Sequence, residues 1–195
     1  MNYQDYIWDL GGTLLDNYES STRAFAQTLA DYGLTAGHDQ IYQALKVSTD
    51  FAIQHFIADS PTFLRDYKAK EAKELARPLL FPGTRELLEK IVARKGRNFL
   101  ISHRDKQVLD ILERTGLAPF FTEVVTADSG FERKPSPQSM LYLKKKYKLE
   151  KTLVIGDRPL DIEAGQGAGF ATYLFDNMDN LALFMGLADQ GPSLN

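Results

Sequence analysis

The sequence predicts an α/β fold: a doubly wound, Rossmann-like parallel sheet carrying a small α-helical domain. Three features point there. Short apolar runs recur, each ending in turn-forming or polar residues; stretches of helical period alternate with them; and one long strand-poor segment interrupts the pattern after the first run. Strands that alternate with helices favour a parallel sheet covered on both faces.

In chain order, Tyr6-Ile7-Trp8 runs into Asp9-Leu10-Gly11-Gly12, a strand followed by a tight turn. The segment from Asp16 to Leu80 then carries apolar residues at helical spacing, with Phe25, Leu29 and Tyr32 in one stripe and Ile41, Ala44 and Leu45 in another. Residues three and four apart share a helix face. Residues 16–80 are therefore expected to form a helical cap, and residues 1–15 with 81–195 the α/β core. In that core Asn98 to Ile101, Glu123 to Thr126, Thr152 to Ile155 and Ala171 to Phe175 read as strands. Each has the length and composition of a strand buried on both faces. Helices are expected over Arg85 to Arg94, Lys106 to Thr115, Pro137 to Tyr147 and Pro159 to Ala168, with a last one from Asn180 fraying at Gly191-Pro192.

A chain of 195 residues, 44% hydrophobic, holds one core domain plus a small insertion and buries enough apolar surface to fold without staples. A net charge of −3 argues against a general nucleic-acid binder. The lack of cysteine excludes disulfides, thiolate metal sites and cysteine nucleophiles. The opening MNYQDYIWDLGG has neither a basic nor an apolar signal region. No apolar run approaches the roughly 18 residues that span a bilayer. A cytoplasmic protein without nucleic-acid or membrane partners is expected, with monomer and homodimer both open.

The reactive groups sit where strands end, which in an open parallel sheet is where ligands bind. Asp9 ends the first strand, and a carboxylate there can attack phosphorus and carry it covalently. Gly11, Gly12 and Thr13 follow, and the glycines let backbone amides approach phosphate oxygens. Ser102 ends the second strand with a hydroxyl donor, and His103 beside it is the one histidine placed near a phosphate. Lys134 lies in Arg133-Lys134-Pro135-Ser136-Pro137, where two prolines stiffen the loop that aims the ammonium. Asp157 and Asp161, four apart at a strand-to-helix turn, suit a hard cation such as Mg²⁺ that takes oxygen ligands. Each residue alone has an ordinary reading as a helix cap, a turn or a solvated lysine. The order and the strand-end positions together say more than any one of them.

These residues resemble the haloacid dehalogenase-like (HAD) hydrolase superfamily, in particular its phosphoglycolate phosphatase and β-phosphoglucomutase-like members with a helical cap after the first motif. The family's hhhDxDGT motif is matched by Ile7-Trp8-Asp9-Leu10-Gly11-Gly12-Thr13, its strand-ending Ser or Thr by Ser102, its lysine motif by Lys134-Pro135, and GDxxxD by Gly156, Asp157 and Asp161. The resemblance spans nearly the whole chain. It implies a Mg²⁺-dependent hydrolase of a small phosphorylated metabolite. Asp9 would be the nucleophile, and Asp9, the Gly11 carbonyl, Asp157 and Asp161 would hold the metal, Asp161 directly or through water. Ser102 and Lys134 would bind phosphoryl oxygens. The segment Ala44-Leu45-Lys46-Val47-Ser48-Thr49 is similar to a substrate-contacting cap segment of the β-phosphoglucomutase-like members, which would place Lys46 and Ser48 at the substrate.

One position departs from the pattern. Most of the family's phosphatases carry a second aspartate two residues after the nucleophile as general acid and base; Gly11 stands there, as glycine does in members with a DLGNV-type first motif. A positioned acid–base group is worth about 10²–10⁴ in rate. Three outcomes fit the substitution: a phosphatase whose proton comes from water or a cap residue, or whose substrate has a leaving group that needs little help; a phosphonate hydrolase using a cap lysine such as Lys46; or a phospho-ligand or partner-binding protein of low turnover.

Overall fold

Residues 3–57 and 60–188 are described by the structure, a computed structural model; the expected fraying at Gly191-Pro192 lies outside them. The chain divides into two compact units, Asp16–Leu79, and Met1–Leu15 with Leu80–Asn195.

The first strand, β1 (Asp5–Trp8), leads directly into the helical unit of α1 (Asn17–Asp31), α2 (His38–Val47), α3 (Thr49–Phe56) and α4 (Pro61–Leu75). Side-chain caps begin three of these helices: Asp16 accepts from the Glu19 amide, Ser48 from Phe51 and Ser60 from Phe63. Such caps satisfy amides that a helix leaves orphaned and contribute about 1 kcal/mol each. The apolar stripes converge on Phe25, Leu29, Ile41, Phe63 and Tyr67, all buried. The Phe25 ring meets Phe63 and Tyr67 edge-on at 5.1 and 5.2 Å, the favoured aromatic geometry. Ala44 and Leu45 join this cluster. Tyr32 meets it only at its edge: it closes α1 and stays 38% exposed, with its ring edge-on against Phe63 at 5.3 Å and its hydroxyl donated to Asp66. At the ends of the unit the Asp16 amide donates to the Leu79 carbonyl at 2.8 Å.

The second unit holds β1, α5 (Thr84–Ala93), β2 (Arg97–Ile101), α6 (Gln107–Thr115), β3 (Phe121–Val125), α7 (Gln138–Tyr147), β4 (Thr152–Gly156), α8 (Pro159–Gly167), β5 (Ala171–Leu174) and α9 (Met178–Met185). The five strands lie in the order β3-β2-β1-β4-β5, every neighbouring pair parallel. The two-sided burial expected of the strands holds for β1, β2 and β4, whose side chains alternate between two covered faces. β3 and β5, at the edges of the sheet, stay partly exposed, Leu174 by 56%. Tyr6, Trp8, Leu100, Leu153 and Ile155 pack with α5, α6 and α9, whereas Ile7, Phe99, Ile101 and Val154 pack with α7 and α8. Each fully buried aliphatic side chain contributes ~1.5–3 kcal/mol, so the central strands hold the unit together from both sides. Trp8 pairs its one polar atom by donating Nε1–H to Asn98 Oδ1 at 2.9 Å. α9 starts two residues before the expected Asn180, because Asn177 caps it and accepts from the Asn180 amide.

Register then sets up the ends of the strands. Trp8 stands beside Leu100 on β2 and Ile155 on β4, so these three strands finish at the same level. The chain builds outward from β1 through β2 to β3, then returns to place β4 on the other side of β1. That reversal is the switch point, with β1 and β4 on its two sides.

Candidate active site

The residues that close β1 and β4 meet at the switch point. Asp9 continues β1 by donating its amide to Ile155 O at 2.9 Å, and its side chain is buried. The chain then turns sharply: the amides of Leu14 and Leu15 both donate to Leu10 O, and the Gly12 amide donates to Leu15 O at 2.8 Å. Gly12 has φ of +86°, and a Cβ there would collide with the Asp157 carboxylate. Glycine is needed at this position on both counts, conformation and space. A Cβ on Gly156 would likewise strike Asp161. The two glycines make room for two carboxylates beside Asp9.

Asp9, Asp157 and Asp161 each offer an oxygen lying within 4.8 Å of the other two. Facing them is Lys134, which is buried, not solvated, at 6% exposure. Its ammonium lies 2.5 Å from Asp9 Oδ1 and 2.5 Å from Asp161 Oδ1, and it donates to the Ile101 carbonyl at 3.3 Å. Asp161 is further engaged through Oδ2, which accepts from the Arg158 amide. Burial lifts the Asp9 carboxyl to about 6; Lys134 opposes this, and Asp161 and Asp157 add to it. One lysine does not balance three carboxylates, and hard oxygen donors clustered around surplus negative charge fit a small divalent cation such as Mg²⁺.

Ser102 continues β2, donating its amide to Val125 O, and its buried hydroxyl accepts from the Arg104 amide at 3.2 Å. His103 reaches the lysine loop instead of projecting freely: its Nε2 accepts from the Lys134 amide at 2.8 Å, and its carbonyl accepts from Arg133. Burial, followed by the cations of Lys134, Arg133 and Arg158, lowers this imidazole to about 4. A cavity of about 190 Å³ lies alongside, lined by Ser102, His103, Phe131, Arg133, Lys134 and Ser139 among others.

Of the residues singled out from sequence, Asp9, Gly12, Lys134, Asp157 and Asp161 thus come together, with Ser102 and His103 tied to the same loops. Gly11 lies in the turn and pairs with Leu15, and Thr13 is wholly buried. Lys46 and Ser48 belong to the helical unit. The Lys46 ammonium stands 5.9 Å from the centre of the Tyr18 ring, and the Ser48 hydroxyl caps α3. Sequence reading missed the Ile101 carbonyl and the Arg158 amide as anchors, since backbone groups carry no residue signature. It also missed the bond from the Lys134 amide to His103, whose partners lie 31 positions apart.

Residues 6–175 match the family model described as haloacid dehalogenase-like hydrolase. A crystal structure of a hydrolase from Streptococcus pneumoniae TIGR4 is 60% identical, with a TM-score of 0.91 over 95% of this chain and 100% of that one. The phosphoglycolate phosphatase of Vibrio parahaemolyticus is 27% identical over 85% of this chain and 80% of its own. The pyrophosphatase PpaX of Oceanobacillus iheyensis is 27% identical over 88% and 83%. Among the described residues no helix is long and apolar enough to cross a membrane.

Proposed function

This chain belongs to the haloacid dehalogenase-like hydrolases, and on that premise we propose that it is a Mg²⁺-dependent phosphatase of small phosphorylated metabolites working through an aspartyl-phosphate on Asp9. The observation that carries the reading is the pairing of buried Asp9 with buried Lys134 inside a three-carboxylate cluster. The names of the phosphoglycolate phosphatase and pyrophosphatase relatives support the same reaction class.

Asp9 and Asp157, with the Gly11 carbonyl, would hold the Mg²⁺. Asp161 serves less as a direct ligand than as the anchor of Lys134, because its two oxygens already face that ammonium and the Arg158 amide. When bound, the metal would neutralise carboxylate charge and offset the charge of the transferring phosphoryl group. Lys134 fixes the Asp9 carboxylate through Oδ1 and, with the Ser102 hydroxyl, supplies donors for phosphoryl oxygens. An Asp9 oxygen forms the new bond to phosphorus as the bond to the leaving oxygen breaks. Water then cleaves the acyl phosphate, returning Asp9 and releasing phosphate.

Gly11 brings no side-chain proton to the leaving oxygen. Rates should therefore depend steeply on the leaving group, with anhydrides and aryl esters ahead of alkyl esters. A share in substrate choice is assigned to Lys46; Lys46→Ala should change relative rates across a substrate panel. The deciding experiment measures phosphate release from p-nitrophenyl phosphate, pyrophosphate and a panel of alkyl phosphates, with and without Mg²⁺, for the wild type and Asp9→Asn. Metal-dependent release lost in Asp9→Asn is the expected result. Release that persists in Asp9→Asn would remove Asp9 as nucleophile. No release from any ester or anhydride would shift the assignment to phosphonate cleavage or to a binding role.

A further inference from the structure

We propose that His103 is the positioning residue for Lys134, holding the loop that carries the ammonium through a neutral ring protonated only on Nδ1. The Lys134 amide donates to Nε2 at 2.8 Å, and the Arg133 guanidinium donates to the His103 carbonyl at 3.1 Å, so two consecutive loop residues are tied to one residue. A backbone N–H only donates, so the nitrogen facing it must carry a lone pair. That fixes the tautomer. A protonated ring would set N–H against N–H and place a cation among Lys134, Arg133 and Arg158, the charges that already oppose its protonation.

His103 directly follows Ser102, and the Ala127 amide donates to the Arg104 carbonyl at 2.8 Å, which braces the same segment from the β3 side. Ser102 and Lys134, arriving from different parts of the chain, are thereby held at a fixed offset. The Lys134 ammonium meets Asp9, Asp161 and the Ile101 carbonyl together, and a shift of its backbone would lengthen all three contacts. Displacements of about 1 Å in such an arrangement cost about 10²-fold in rate. The effect on turnover rests on the function proposed above; the coupling between His103 and Lys134 does not.

The test compares His103→Ala, His103→Asn and His103→Gln. A glutamine carbonyl can reach the place of Nε2, whereas an asparagine carbonyl lies nearer the place of Nδ1. Nitrogen-15 spectra of the wild-type imidazole should report the Nδ1–H tautomer. Hydrogen exchange at the Lys134 amide should accelerate in the Ala and Asn variants and slow again in Gln. On p-nitrophenyl phosphate with Mg²⁺, kcat should fall by about 10²-fold in Ala and Asn with a smaller change in KM, and Gln should recover most of the loss. An Nε2–H tautomer, or Lys134 exchange indifferent to all three variants, would overturn the proposal. So would altered exchange accompanied by wild-type kcat. If the wild type turns over no ester, the function proposed above fails separately. Tautomer and exchange then still decide the coupling, joined by the affinity for inorganic phosphate measured by calorimetry with Mg²⁺. Weaker phosphate binding in Ala and Asn, restored in Gln, sustains the role, and equal binding in all four proteins overturns it.

Discussion

The two ends of the sheet treat buried charge differently. At the amino ends of the strands Asp5 is buried, and its carboxylate accepts from Arg97 Nε at 2.6 Å, with the Arg97 side chain 40% exposed. One acid meets one base. At the carboxyl ends Asp9 and Asp161 share one buried lysine, with the Asp157 carboxylate beside theirs. A balanced pair completes itself and works as a structural tie. Burial lifts the Asp9 carboxyl to about 6 against the pull of Lys134; Asp161 and Asp157 add to the rise, and the unbalanced cluster leaves a place for a further cation. The same fold therefore holds a stabilising end and a strained end, and the strained end is the one that carries the chemistry.

Asp9→Asn breaks the comparison most sharply. Removing the nucleophile should lower kcat by about 10⁴-fold or more, while substitutions at the opposite end leave kcat unchanged. The same variant should be the more stable protein when metal is stripped away. A carboxyl at about 6 in the fold and about 4 when unfolded contributes stability that is complete below pH 4 and lost as pH rises through 6. Asparagine does not ionise. The metal-free variant and wild type should differ little from this source near pH 4, and at pH 7 the variant should lead by roughly 2–3 kcal/mol. His103 works in the opposite direction: its lowered value contributes stability that is present above about pH 6.5 and lost as pH falls toward 4. Taking the difference between the two proteins at each pH in EDTA removes that contribution. Denaturant melts at pH 4, 5, 6 and 7 check it, and a difference that does not grow with pH would show that the carboxylate cluster carries no strain.

Mg²⁺ should offset that difference. A cation bound only by the folded protein stabilises it by about 2.7 kcal/mol at a hundred times its dissociation constant. Wild type should show this gain as a rise in Tm, Asp157→Asn should lose most of it, and Arg97→Ala should keep all of it. Thermal melts across a Mg²⁺ titration separate the three.

How much of this was legible in the sequence depends on whether a feature is local. Buried strands announce themselves by apolar runs, and the central ones sit where the runs are, Tyr6 to Trp8 within β1 and Thr152 to Ile155 within β4. Asp9, Ser102 and Asp157 were readable because a residue that follows a buried strand must emerge at its carboxyl end. Spacing predicted less well where an element stops. Tyr32 keeps the helical interval of Phe25 and Leu29, but α1 ends there and its ring lies at the rim. The partners of Lys134 were not legible. Prolines around it suggested a stiff loop, but that Asp161 and Ile101 would complete its surroundings depends on how α8 and β2 meet that loop in space. His103 shows the same limit, since its ring partner is a backbone amide and any residue but proline would have supplied one.

The smallest effect tests the quieter end. Arg97→Ala removes the partner of a carboxylate whose side chain is only 3% exposed, and also the bonds from its guanidinium to the Tyr147 carbonyl. A fully buried pair broken this way would cost about 3–5 kcal/mol. Because Arg97 is partly in solvent, water can reach the pair and screen it, and about 1–2 kcal/mol is expected instead. Phosphate release should remain at the wild-type rate, since nothing in the pair reaches the carboxyl ends of the strands. Urea melts and steady-state kinetics on one preparation read both numbers. A stability loss without a rate loss is the signature of a tie, whereas a matching fall in kcat would mean that the two ends of β1 are mechanically coupled and that the division drawn between them is wrong.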